Sequence, residues 1–185
     1  MSCFSCNYSI MKMEFIFSAF IVLVIGACNT TVKNTDMPLV QDSIVEDTRV
    51  TDNVKMYSHV WDEIMNKGKL DMFNDSNFTK TVVMHASPAD IVGIDSARKY
   101  YGQYLTGFSN IEFTIIDIFG QDDKLVKHWR FRGKHTGNFF GIRATGKEVN
   151  LEGTTLVRME NGKIAEEKDF FDNLEFMQQL GLIPR

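Results

Sequence analysis

Apolar positions change their period several times along the chain, and each change predicts a different element. An apolar run from Phe15 to Ile25 follows Lys12 and ends on Gly26 and Ala27. It is shorter than the roughly 20 apolar residues that cross a hydrocarbon core, and its basic start and small-residue end predict a signal peptide over residues 1–27. Met1, Met11 and Met13 all serve as starts for that reading. Residues 28–52 hold no sustained period and are rich in Thr, Asp, Asn and Val, which suits a flexible tether. A folded domain is predicted over residues 53–185, close to the commonest single-domain size of about 100 to 150 residues.

Inside the domain, Val54, Tyr57, Trp61, Ile64 and Met65 recur at helical spacing, with Gly68 as the stop. LDMFNDSNF follows as a short helix or turn, and TKTVVMHAS is a β-rich run that ends before Pro88. A second helical stripe runs through Ile94, Ala97, Tyr101, Tyr104 and Phe108, with Asp95 placed as its N-cap. After Ser109 the period falls to two. IEFTIIDIFGQDDKLVKHWRFRG reads as two strands joined by a turn, and KEVNLEGTTLVRME and KIAEEKDFFD as two more, joined by Asn161-Gly162. NLEFMQQLG closes the chain as a short helix ending at Gly181.

Helices first and a four-strand meander afterwards predict an α+β fold, in which a curved antiparallel sheet forms a cone closed by the N-terminal helices. The interior of such a cone accommodates a small ligand. GKHTGNFFGIRATGK, Gly133 to Lys147, then becomes the connection between two meander strands at one rim of the cone. Its glycines allow positive φ or close backbone approach, and Phe139, Phe140 and Ile142 give it something to bury. On this reading His135 either faces the ligand or satisfies its own loop backbone.

Composition narrows the chemistry. The three cysteines are Cys3, Cys6 and Cys28, so a domain starting at Asn53 has neither a disulfide nor a thiol nucleophile. A net charge of -4 and a pI of about 5.6 give no basic excess and argue against a nucleic-acid partner. No Cys/His metal cluster, phosphate-binding glycine loop or Gly-x-Ser-x-Gly elbow is present in the sequence, which argues against a metal or a nucleotide cofactor. Ile25-Gly26-Ala27-Cys28 resembles the lipobox of bacterial lipoproteins, which implies lipidation at Cys28 and an exported, membrane-anchored protein of the cell envelope.

GKHTGNFFGIRATGK, followed by LVRMENGKIAEEKDFFDNLEFMQQLGLIP, resembles the SnoaL-like polyketide cyclase and ester cyclase family. The resemblance runs from about Tyr57 to Pro184 and lies in the order His-Thr-Gly, Thr-Gly-Lys, Gly-Lys-Ile, and a terminal Asp followed by Gln-Leu-Gly. It implies the nuclear transport factor 2-like fold, an aldol-type ring closure without cofactor, a small hydrophobic or carbonyl-containing ligand, and allows a homodimer. It also matches the acid/base aspartate to Asp172, whose carboxylate would work near neutral pH if burial raised its pKa. Asp is equally a preferred N-cap for the helix that follows.

Strand alternation groups Phe170, Lys168, Glu166 and Ile164 with Asp172. Lys168 stands where the family usually carries an aromatic residue, and a Lys on that face would pair with the aspartate. His85 matches a histidine near the end of the family's first strand. Arg130 and Arg158 are candidates to hold a carboxylate or keto oxygen, or are ordinary surface arginines. The candidate site is therefore Asp172 and His135 for catalysis, with His85, Arg130, Arg158, Lys168 and Phe170 for the ligand. Two functions remain open: an acid/base enzyme, and a lipid-tethered binding module of the same fold.

Overall fold

The computed structural model describes residues 48–184. The expected leader, Cys28 and most of the tether lie outside the described residues. Helix α1 spans Thr48–Lys67 and thus begins five residues before the expected edge of the domain. Its buried stripe is Tyr57, Val60, Trp61, Ile64 and Met65, the 3-4-3 spacing of an amphipathic helix against a core. A single 3-10 turn, Leu70–Met72, leads to β1 (Phe78–His85), and a two-residue β2 (Ile91–Val92) precedes α2 (Ile94–Gly107). Gly93, at φ 86, is the N-cap of α2. Asp95 lies within the first turn and pairs with Arg98 at 2.9 Å, so it is not the cap expected from the sequence.

Four strands follow as a meander: β3 (Phe108–Gln121), β4 (Lys124–His135), β5 (Glu148–Glu160) and β6 (Lys163–Phe171). Asn161 and Gly162 both take positive φ, 50° and 74°, which matches the twist of a tight hairpin. The sheet order is β2-β1-β6-β5-β4-β3. It is mixed rather than wholly antiparallel, because β1 lies parallel to β6 and carries the sheet past the meander. Bulges in β3, at Ser109/Glu112 and Ile115/Asp117, and one in β5 at Arg158/Met159 bend the sheet. The α+β cone expected from the element order is the observed architecture, and a short α3 (Asn173–Gln179) ends it.

The inner face of the sheet supplies Leu125, Trp129 and Phe131 from β4, and Val149, Leu151 and Val157 from β5. They pack against the stripes of α1 and α2 in one hydrophobic cluster. The connection from 136 to 147 is pinned at its start, where the Thr136 and Gly137 amides both donate to the Gly107 carbonyl at 2.9 Å. Phe139 is buried beneath it, whereas Phe140 is largely exposed.

Candidate functional site

Register brings the polar residues of the inner face into line. Lys127 on β4 pairs with Thr155 on β5, and Thr155 pairs with Asp169 on β6, so the three stand side by side across the sheet. The next pairing toward α3 is Trp129, Gly153 and Phe171. Successive strand residues face opposite sides, so Glu167, Asp169 and Phe171 turn inward while Glu166, Lys168 and Phe170 turn outward.

Between this inner face and the two long helices lies a narrow cavity that opens to solvent. Trp61, Met65, Phe113, Trp129, Phe131 and Phe176 form most of its wall, and Tyr101, Tyr104, Lys127 and Asp169 are its polar members. This is the makeup of a small-molecule site, mostly apolar with a few placed polar groups. Asp169 is solvent-accessible there. Its Oδ1 accepts a short hydrogen bond from the Thr155 hydroxyl, and its Oδ2 accepts from the Tyr101 hydroxyl at 3.3 Å. The Thr155 oxygen in turn accepts from the Trp129 indole N–H at 3.0 Å. With its hydrogen spent on the aspartate, Thr155 fixes both the carboxylate and the ring beside it.

Glu167 lies deeper and is buried. Its Oε1 accepts from the Tyr57 hydroxyl and from the Trp61 indole N–H at 3.0 Å, while Oε2 has no partner. Loss of water around the carboxyl pushes its pKa up to about 7, and the negative Asp169 adds to the rise, while Lys127 and the two hydrogen bonds oppose it. Burial holds the Tyr57 and Tyr101 phenols well above their usual range, so both stay neutral donors. The folded chain therefore binds a proton on Glu167 between its ordinary value of 4.5 and about 7. Folding stability should fall as pH rises through that window and level off above it, by up to about 3 kcal/mol. Denaturant melts at stepped pH values test this. Glu167→Gln, which stays neutral, should flatten the slope, and equal slopes in the two proteins would contradict it.

The residues expected at the site from the sequence lie elsewhere. Asp172 is exposed at the N-cap of α3, where its Oδ1 accepts the Glu175 backbone N–H at 2.9 Å. The strand ends at Phe171, and the short carboxylate satisfies an orphan helix amide instead of reaching the cavity. Phe170 and Lys168 do share a face, with the Lys168 ammonium 5.3 Å over the Phe170 ring, but it is the outer one. Lys168 therefore has no path to a carboxylate in the cavity. On the same outer surface Arg158 pairs with Glu166 at 2.7 Å, His85 with Asp90 at 3.1 Å, and Arg130 and His128 both with Glu152.

His135 is inward and fully buried, yet it stands behind the cavity wall, packed on Phe108 at 5.2 Å. Its Nδ1 accepts the Thr145 backbone N–H at 3.3 Å and lies 3.1 Å from the Thr145 hydroxyl. Burial lowers its pKa, so the ring stays neutral and fastens the connection from 136 to 147. The structure thus sets both Asp172 and His135 apart from the residues that line the cavity. The residues it brings together are Asp169, Thr155, Lys127, Glu167, Tyr57 and Tyr101.

Comparison with known proteins agrees with this architecture. The family model described as SnoaL-like polyketide cyclase matches residues 51–180. The aklanonic acid methyl ester cyclases DnrD of Streptomyces peucetius and DauD of Streptomyces sp. (strain C5) are each 41% identical over 49 residues, 26% of this chain. Those stretches span only 34% and 30% of the two cyclases. Among solved structures, a SnoaL-like protein from Jannaschia sp. CCS1 superposes with a TM-score of 0.66 at 24% identity, covering 72% of this chain and 94% of that one. TsrD from Streptomyces laurentii superposes with a TM-score of 0.64 at 21% identity, covering 71% and 96%. At these identities the superpositions speak for the fold alone.

Proposed function

Because the chain belongs to the SnoaL-like polyketide cyclase family, we propose that its cavity takes a small, largely apolar carbonyl compound and that Asp169 moves a proton on it. The supporting observation is one carboxylate set in an aromatic cavity, oriented by the Thr155 and Tyr101 hydroxyls and still open to an entering molecule. Such a carboxylate removes a proton from the carbon beside a carbonyl and later returns one to the new alkoxide, the two transfers an aldol-type ring closure needs. Binding in the cavity brings the two reacting carbons together and removes most of the entropic cost of closure. Incubating the protein in deuterated water with a panel of enolisable aryl ketones tests this. Catalysed exchange of the α-proton supports it, and binding without exchange leaves only a ligand-binding module.

The leader over residues 1–27, with Cys28 directly after it, favours placing this domain on a membrane surface, as an exported lipoprotein whose cavity meets ligand in the cell envelope. Labelled palmitate should enter the wild-type chain and not Cys28→Ala; equal labelling of the two would remove the anchor.

A further inference from the structure

Lys127 is the charge in the cavity wall that the proton transfer leaves unused. It is only 3% exposed, and its ammonium sits 4.7 Å from the centroid of the Trp61 ring, 5.2 Å from that of Tyr57 and 5.2 Å from that of Phe113. Neither Glu167 nor Asp169 comes within ion-pair distance, and among the described residues no acceptor holds the three N–H donors. A buried ammonium without a partner is costly. The ring faces offset part of that cost, but they leave donors unspent. Glu167 does not take them: its Oε1 accepts from Tyr57 and Trp61, and its free Oε2 lies beyond ion-pair distance of the ammonium. Lys127 also breaks the strand pattern: its neighbours in the same inward phase are Leu125, Trp129 and Phe131.

We propose that the Lys127 Nζ is the oxyanion site of the cavity, holding the carbonyl oxygen of an enolisable ketone or 1,3-dicarbonyl compound whose α-carbon faces Asp169. This rests on the proton-transfer reading of Asp169 above. When the C–H bond breaks, its proton goes to an Asp169 carboxylate oxygen. The electron pair forms the new carbon–carbon double bond, and the carbonyl π pair moves onto oxygen opposite the Lys127 ammonium. Asp169 loses a negative charge as the oxygen gains one, so the net charge of the cavity does not change. The two side chains rise from strands separated by β5, with backbones about 10 Å apart. That leaves room between their tips for an oxygen–carbon–carbon fragment.

The surrounding groups keep this arrangement usable. Loss of water lowers the pKa of Lys127, while Glu167 and Asp169 raise it. Tyr57, Tyr101 and Tyr104, which also face the cavity region, remain neutral. A fixed cation already in place when charge develops is the general form of oxyanion stabilisation.

4-Nitrophenol tests the proposal, because its phenolate oxygen imitates the enolate and its ionisation changes its colour. 4-Nitroanisole, of similar shape and unable to ionise, reports on the cavity alone. The wild-type protein should bind the phenolate at least about tenfold more tightly than the phenol. Lys127→Met should lose that preference while binding 4-nitroanisole as before. Equal preference in the two proteins, with 4-nitroanisole bound, overturns the oxyanion site and leaves the cavity standing. Failure of the wild type to bind either compound overturns both. If Lys127→Met does not fold, the wild-type titration still decides, since a preference for the phenol form contradicts the proposal by itself.

Discussion

Asp169→Asn is expected to keep the fold and to slow proton removal from a bound carbonyl compound by at least about 100-fold. The amide has the volume of the carboxyl and retains an oxygen to accept from the Thr155 hydroxyl, so the chain of bonds from Trp129 through Thr155 survives. It cannot carry a proton. Thermal stability should change by less than about 1 kcal/mol, in the range of one ordinary hydrogen bond. A second effect should appear at Glu167. The negative Asp169 helps raise the Glu167 pKa, so the upper edge of the pH window over which stability falls should move down in the variant, and the total loss should shrink. Steady-state turnover and pH-stepped melts measure the two effects independently. A variant with full turnover would show that the proton is handled elsewhere.

Gly153→Ala is expected to lower stability by about 2 kcal/mol or more. A Cβ at this position would stand 2.3 Å from the Trp129 Cζ2 and 2.7 Å from the Phe170 carbonyl oxygen. The carbonyl belongs to the paired backbone of β6 and cannot give way. Movement of the indole would break its bond to Thr155 and with it the hydroxyl that orients Asp169. The same methyl should therefore reduce both stability and ligand binding. Both tryptophans of the chain line the cavity, so the change should be visible in intrinsic fluorescence as well as in a melt. A variant as stable as the wild type, with unchanged emission, would mean that the strand shifts to accept the methyl and that Gly153 is not what seats Trp129.

The fold was legible because its determinants are local. The stripe through Tyr57, Trp61 and Ile64, the change to period two after Ser109, and the Asn161-Gly162 turn each act over a few residues. The partnership of β1 with β6 was not, since a parallel pairing across some 80 residues leaves no trace in local period. Of the two roles the sequence allows Asp172, the structure shows the helix cap. Alternation groups residues into two sets but does not say which set is inside. Asp169 and Asp172 differ by an odd number of residues and so fall into opposite sets, and only the seating of the strand on the helices distinguishes them. The sequence did hold one usable signal. A lysine in phase with Leu125, Trp129 and Phe131 marks a charge directed into the core, and its register partners lead through Thr155 to Asp169. His135 shows why a place in a loop does not by itself decide a role. Its position among glycines draws attention to a loop, whereas its contacts are those of a buried fastener between Thr145 and Phe108.

The choice between the two aspartates is open to one direct measurement. Deuterium uptake at the α-carbon of a bound enolisable ketone, followed by nuclear magnetic resonance, can be compared for the wild type, Asp169→Asn and Asp172→Asn. Asp172→Asn preserves a cap acceptor for the Glu175 amide and should exchange the proton at the wild-type rate. Asp169→Asn should be slower by at least about 100-fold. Wild-type exchange by Asp169→Asn together with loss of exchange in Asp172→Asn would contradict the assignment of the chemistry to the cavity carboxylate.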